Sequence, residues 1–202
     1  MFTGIIQTIG LVRSVETDGT NHSFWIKSSI SADLKVDQSV SHNGVCLTVE
    51  SVNGDEHRVT AINETLLKTN LGNWAPGTMV NLETCLAING KLDGHIVQGH
   101  VDTVATCTGI IDKTGSREYS FRIPAAFSTL IIEKGSISLN GISLTIFNVT
   151  EDSFTVAIIP YTLEHTNMKQ LKENDTVNIE FDMIGKYVNR IARFQNKQVN
   201  AG

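Results

Sequence analysis

Ser41 to Val49 reads SHNGVCLTV, and Ser138 to Ile146 reads SLNGISLTI. The two windows share Ser, Asn, Gly, Leu and Thr in one register, and Val and Ile replace one another at two further places. Downstream the separation is the same: TLLKTNL from Thr65 lies against TLEHTNM from Thr162, and VNLE from Val80 against VNIE from Val177. Upstream the separation shortens by two, where GIIQT from Gly4 meets GHVDT from Gly99. Separated blocks in one register mark a tandem duplication of a unit of roughly 90 residues, longer than the repeats of about 20 to 50 residues that build solenoids.

Inside each unit apolar residues alternate in short runs, as in SFWIKSS from Ser23, HRVTAIN from His57 and SFTVAII from Ser153. Turn pairs punctuate them at Asp18-Gly19, Asn53-Gly54 and Asn89-Gly90, which read as hairpins. One short helix per unit is expected, capped by Asn63 in the first and opening on Pro160 in the second. After Asp182 the period changes: Met183, Ile184, Tyr187, Val188, Ile191 and Phe194 recur at helical spacing, with Lys186, Arg190, Arg193 and Lys197 between them. The pattern is therefore mainly β: two tandem units over 1–94 and 95–182, each a closed β-barrel or sandwich, with a polar linker at 87–94. An amphipathic helix and tail follow over 183–202. That helix either packs on its own barrel or joins subunits.

The chain has 202 residues, 41% hydrophobic and 18% charged, an ordinary globular composition. A net charge of -5 leaves no basic surface for nucleic acid. No apolar run reaches the ~18 residues of a membrane span, and MFTGIIQTIG lacks the basic start of a secretory signal, so a soluble cytoplasmic protein is expected. Cys46, Cys85 and Cys107 show no Cys-x-x-Cys spacing, which argues against a zinc site or a disulfide framework.

A duplicated barrel offers two similar pockets, and the informative positions are those where the copies differ. Cys46 faces Ser143, His42 faces Leu139, Asp37 faces Lys134 and Ile5 faces His100. Thr48 with Thr145, and Thr65 with Thr162, supply the same hydroxyls twice. Shared recognition with unequal reactive groups points to two like molecules treated differently.

Six stretches, MFTGI, SVSHNGVCLTV, NETLLKTNLG, GHIVQGHVDT, KGSISLNGISLT and IPYTLEHTN, resemble the riboflavin synthase family over nearly the whole chain. The resemblance implies tandem six-stranded Greek-key-type β-barrels and a dismutation of two 6,7-dimethyl-8-ribityllumazine molecules, with no metal or redox cofactor. It also implies a homotrimer in which the two rings stack between the first barrel of one subunit and the second barrel of another. One ring would then meet Cys46, Leu47 and Thr48, the run Thr60, Ala61, Ile62, Asn63, Glu64 and Thr65, and His100, Val101 and Asp102. The other would meet Gly4, Ile5 and Ile6, Lys134, Ser143, Leu144 and Thr145, and Ile158, Ile159, Pro160, Tyr161, Thr162 and Leu163.

For catalysis the resemblance implies His100 in proton transfer, with Ser39, Cys46 and Thr145 orienting it, binding water or adding to the acceptor. Simpler readings stand beside these: His100, and His95 in the same motif, as hydrogen-bonded structural histidines, Cys46 as packing, Ser39 as a turn or strand hydroxyl shared with Ser136, and, among the binding residues, Lys134 as a solvated surface charge. Asn140 stands where some members carry Asp; because the duplicate turn also has Asn, at Asn43, a structural turn is expected there. A non-catalytic carrier of the same chromophore is the alternative function for this architecture.

Overall fold

In the computed structural model residues 1–199 are described, with side chains through 195; the side chain of Lys197 in the expected helix and the tail at 200–202 fall outside that description. The first barrel comprises β1 (Thr8–Asp18), β2 (Asn21–Lys27), β3 (Ser39–His42), β4 (Val45–Asn53), β5 (Glu56–Ala61) and β6 (Met79–Thr84). The second comprises β7 (Thr103–Lys113), β8 (Ser116–Arg122), β9 (Ser136–Leu139), β10 (Ile142–Phe147), β11 (Ser153–Ile158) and β12 (Thr176–Phe181). Short helices α1 (Asn63–Lys68) and α2 (Pro160–His165) precede the last strand of each, and α3 (Met183–Val199) ends the chain. Around each closed barrel the neighbours are the same, β1-β2-β5-β4-β3-β6 and β7-β8-β11-β10-β9-β12. The bulge in the first strand of each barrel also repeats, at Arg13 and at Thr108, where an extra residue bends the strand into closure, whereas the one at Glu50 in β4 has no counterpart in β10.

The shortened separation upstream of the repeat has a local cause. Between β2 and β3 the first unit makes a three-residue 3-10 turn, Ser31–Asp33, whereas the second makes a six-residue one, Ala125–Leu130, in a connection longer by two. Of the expected hairpins, Asp18-Gly19 and Asn53-Gly54 sit at the β1–β2 and β4–β5 turns. Asn89-Gly90 joins no strands and lies in the irregular segment between barrels. Asn63 is the first helical residue rather than the cap: Ile62 occupies the cap position in extended conformation, with no side-chain bond. Pro160 opens α2 as expected, after Ile159 in the matching extended conformation.

Each barrel is filled by the inward residues of its strands, Phe24, Ile26, Val40, Val59 and Leu82 in the first and Tyr119, Phe121, Ile137, Val156 and Ile179 in the second. The first barrel departs from this apolar filling. His42 and His57 are both fully buried there, with Nε2 to Nε2 at 2.8 Å, in the places of Leu139 and Phe154. His42 Nδ1 lies 3.0 Å from the Val40 carbonyl, and an N–H must donate there. His57 must then donate its Nε2–H to His42 and accept from Ser31 Oγ at Nδ1, 2.8 Å away. Both rings are thereby held neutral.

The repeated Asn-Gly turns are where the two barrels meet. Asn43 and Asn140 have φ of 47° and Gly44 and Gly141 have φ of 80°, the left-handed geometry of a two-residue hairpin turn. The turns lie back to back, so close that a Cβ on Gly44 would sit 2.8 Å from the Gly141 nitrogen, and the reverse. Around them, Asn43 Oδ1 accepts from the Asn81 N–H at 2.7 Å and Asn140 Oδ1 from the Asn178 N–H at 2.8 Å. Asn81 then donates to the Asn140 carbonyl and Asn178 to the Asn43 carbonyl, at 3.0 and 2.9 Å. Asn167 and Asn70 close the ring by donating backbone N–H groups to Asn81 and Asn178, each at 2.8 Å. The blocks written twice in the sequence are thus the two halves of one interface, and Asn140 serves its turn.

Candidate functional site

Two straps cross between the barrels before the first strand of each. Phe2 and Val97 pair antiparallel where they cross, with N–H to carbonyl distances of 2.7 and 3.1 Å. Beyond the crossing each strap lies on the barrel that it does not begin. The Gly4 carbonyl accepts from Ser143 N–H at 2.8 Å, and the Gly99 carbonyl from Cys46 N–H at 2.9 Å. Ile6 packs against the core of the second barrel and Val101 against that of the first. Gly4 and Gly99 have φ of 77° and 84°, and a Cβ would fall 2.6 Å from Ser143 Cβ and 2.5 Å from Cys46 Cβ. Only glycine allows this approach without displacement.

Each strap is held down by one buried carboxylate. Glu83 accepts from Thr3 N–H and Thr3 Oγ–H, both at 2.7 Å, and from Gly4 N–H at 3.0 Å. Glu180 accepts from the N–H groups of Gln98, Gly99 and His100 at 2.7, 2.8 and 2.8 Å. Burial pushes both carboxyls above their ordinary range, against the pull of these donors.

A cleft of about 240 Å³ opens beneath the second strap, lined by Val45, Cys46, Glu64, Thr65, Lys68, Thr69, Gly99, His100 and Val101. The equivalent cleft of the second barrel, about 430 Å³, is lined by Lys134, Ser143, Leu144, Thr145, Phe147, Ala157, Ile158, Ile159 and Thr162. In the first, burial raises the Cys46 thiol while its hydrogen bond to Ser39 pulls the other way, which leaves a resting thiol rather than a thiolate. In the second, Ser143 Oγ lies 2.6 Å from Nδ1 of His95, whose pKa burial lowers, with Asp182 acting in the opposite direction. Lys134, at φ 62°, lies over the Phe147 ring at 5.2 Å.

The candidate residues therefore divide. His100 and Cys46 share the first cleft with Glu64, Thr65 and Val101, and Ser39 stands beside Cys46. Thr145 lies in the other cleft with Lys134, Ser143, Leu144, Ile158, Ile159 and Thr162. Leu47, Ala61 and Ile158 belong to the barrel cores, Ile158 touching the cleft by an edge. Thr60 is bound to Ser23 and Glu50 at 2.8 and 3.0 Å. Asp102 turns from the cleft to the helix, meeting Lys186 Nζ at 2.6 Å and Phe181 N–H at 2.9 Å. Pro160 and Leu163 face a separate depression beside the β7–β8 hairpin. Thr48, Ile62 and Asn63, with Ile5 and Tyr161, are exposed outside the cleft linings, while Gly4 and Ile6 reach the second barrel through the strap. Glu83 and Glu180, which no motif assigned a role although the repeated VNLE and VNIE carried them, bind the straps beside the clefts, and His95 of GHIVQGH, the weaker candidate of that motif, meets Ser143.

The lumazine binding domain family matches residues 3–85 and 98–182. The chain is 38% identical over 198 residues to riboflavin synthase of Bacillus subtilis (strain 168), across 98% of this chain and 92% of that one. It is 37% identical over 189 residues to riboflavin synthase of Actinobacillus pleuropneumoniae, across 93% and 88%. Among solved structures, LumP complexed with riboflavin superposes at a TM-score of 0.83 and 24% identity, covering 90% of this chain and 99% of that one. LumP complexed with 6,7-dimethyl-8-(1'-D-ribityl) lumazine superposes at 0.82 with 23% identity and the same coverage.

Proposed function

The chain belongs to the riboflavin synthase family, with two lumazine binding domains, and from that premise we propose that it performs the family's dismutation. Two 6,7-dimethyl-8-ribityllumazine molecules give riboflavin and 5-amino-6-(ribitylamino)pyrimidinedione by transfer of a four-carbon unit. The atoms balance between the two products, with no oxidant or reductant.

The observation that carries this reading is the pair of matched clefts with unequal chemistry: Cys46 and His100 in one, Ser143, Thr145 and Lys134 in the other. One cleft holds the donor and the other the acceptor of the same compound. The methyl group on carbon 7 of one lumazine loses a proton to the base, the carbanion so formed attacks the second molecule, and a nucleophile at that molecule's carbon 7 activates it. His100 is the base in this reading, a role contributing roughly 10²- to 10⁴-fold. Ser39, Cys46 and Thr145 are the polar groups that orient or add. Cys46 acts as a protonated donor, in keeping with its raised pKa. Stacking the rings converts an encounter of two molecules into an oriented step, which contributes several kcal/mol more.

Because Thr145 and His100 occupy separate clefts, a complete site joins the first barrel of one subunit to the second barrel of another, in a homotrimer. Helix α3 supports this assembly. Ile184, Tyr187, Val188, Ile191 and Phe194 are all more than half exposed on it, an apolar stripe beyond two barrels already closed. Three free thiols fit a reducing compartment, the cytoplasm. Among the described residues no helix is long and apolar enough to cross a membrane.

The test is incubation with ribityllumazine alone, following riboflavin by absorbance and substrate by its own. One riboflavin per two lumazines consumed is expected. Binding of both lumazine and riboflavin without turnover would make the protein a chromophore carrier instead.

A further inference from the structure

We propose that Glu180 is the positioning residue for His100, and that it acts across the boundary between barrels: a carboxylate on β12 of the second barrel sets the cleft of the first. Glu83, on β6 of the first barrel, does the same for the cleft of the second.

The geometry is specific. Glu180 is 3% exposed, and its two oxygens take three consecutive backbone N–H groups, those of Gln98, Gly99 and His100. Three N–H groups converging on one carboxylate fix the intervening peptide planes and hold Gly99 in its left-handed conformation, φ 84°. Those planes set the direction of the Cα–Cβ bond of His100, whose side chain is itself exposed in the cleft. The same strap covers Cys46, because the Gly99 carbonyl accepts the Cys46 N–H. The neighbouring cation, Lys186, is bound to Asp102 at 2.6 Å, so the strap is tied again two residues past His100. Glu83 reproduces the clamp at 3% exposure on Thr3 and Gly4, whose carbonyl in turn holds Ser143. A role confined to the stability of the parent barrel would not distinguish one cleft from the other; the crossed straps do.

Glu180→Gln keeps the shape but replaces one acceptor oxygen with an NH₂ group, a donor facing donors. The experiment compares the wild-type protein with Glu180→Gln and Glu83→Gln, alkylating each with iodoacetamide and following Cys46 and the buried Cys107 separately by peptide mass mapping. Loss of one or more charge-assisted bonds should speed labelling at Cys46 roughly ten- to a hundredfold in Glu180→Gln. Labelling at Cys46 should not change in Glu83→Gln. Equal protection of Cys46 in wild type and Glu180→Gln would overturn the proposal, as would equal acceleration by both variants. Where Cys107 opens along with Cys46, the second barrel has unfolded, and the milder Glu180→Asp decides: selective labelling at Cys46 supports the clamp, and its absence overturns it.

A second arm rests on the riboflavin synthase reading. In Glu180→Gln kcat should fall roughly tenfold or more while KM changes little, since the base is displaced rather than removed. A KM effect with kcat intact would overturn the positioning of His100. An inactive wild-type protein would defeat the functional reading but leave the alkylation result to decide the clamp.

Discussion

Acid should destabilise this protein through the His42–His57 pair. Burial lowers the pKa of His57 from 6.5 to about 4, and burial together with the neighbouring imidazole lowers that of His42. The native state therefore binds these protons more weakly than the unfolded chain. Above pH 6.5 both states are neutral at these positions and nothing is lost; below it, the unfolded chain gains protons that the folded one refuses. For His57 alone, moving from pH 7.5 to 5.0 should cost ~2 kcal/mol, approaching ~3 kcal/mol as the pH nears the folded value. His42 adds a loss of the same sign. Glu83 and Glu180, whose pKa values burial raises, work in the opposite direction as pH falls, so the informative quantity is a difference between two proteins. The second protein is His42→Leu with His57→Phe, which writes into the first barrel the residues that the second carries at Leu139 and Phe154. Urea unfolding of both between pH 7.5 and 5.0 should show the wild type losing ~2 kcal/mol or more relative to the double variant. Parallel curves would refute the reasoning, because the same two rings would then be free to ionise in the folded state.

Other outcomes follow from the same geometry. Cys46→Ser, nearly isosteric, should lower turnover more than lumazine binding, measured by steady-state kinetics beside fluorescence titration; unchanged turnover would leave Cys46 to packing. Asn140→Ala should cost about 1 to 3 kcal/mol in urea unfolding, because the Asn178 N–H loses its acceptor and alanine must take φ 47°. Asn140→Asp, which keeps the acceptor, should cost less. Gly4→Ala should disturb Ser143 and weaken lumazine binding at one class of site while the other is retained, since its Cβ would stand 2.6 Å from that of Ser143. Turnover should survive a chelator, because the conjugated substrate itself spreads the carbanion charge; loss restored by a divalent ion would contradict that.

The duplication was legible because the interface between barrels is built from the residues the two copies share. The Asn-Gly turns, Asn81 with Asn178 and Asn70 with Asn167 all fall in the repeated blocks. Their contacts were not legible, since Asn167 reaches Asn43 and Asn81 from the other copy, and nothing in the spacing of either copy names that partner. The crossed straps were hidden in the same way: Gly4 and Gly99 mark a close approach, but only the fold says to what. Motif stretches also include residues whose side chains turn away from the clefts, because strand side chains alternate, and that of Leu47 between Cys46 and Thr48 points into the core. Helix α3 was plain from its period, with its apolar stripe left facing outward by two barrels that need no help to close.

The most direct test of the paired-cleft account is complementation. His100→Ala disables the first cleft, and Ser143→Trp fills the second; each variant alone should be inactive. Coexpressed, they should regain riboflavin formation, because mixed assemblies pair the intact second cleft of one chain with the intact first cleft of the other. A mixture as inactive as its parents, with mixed trimers demonstrated by mass, would contradict a site shared between subunits.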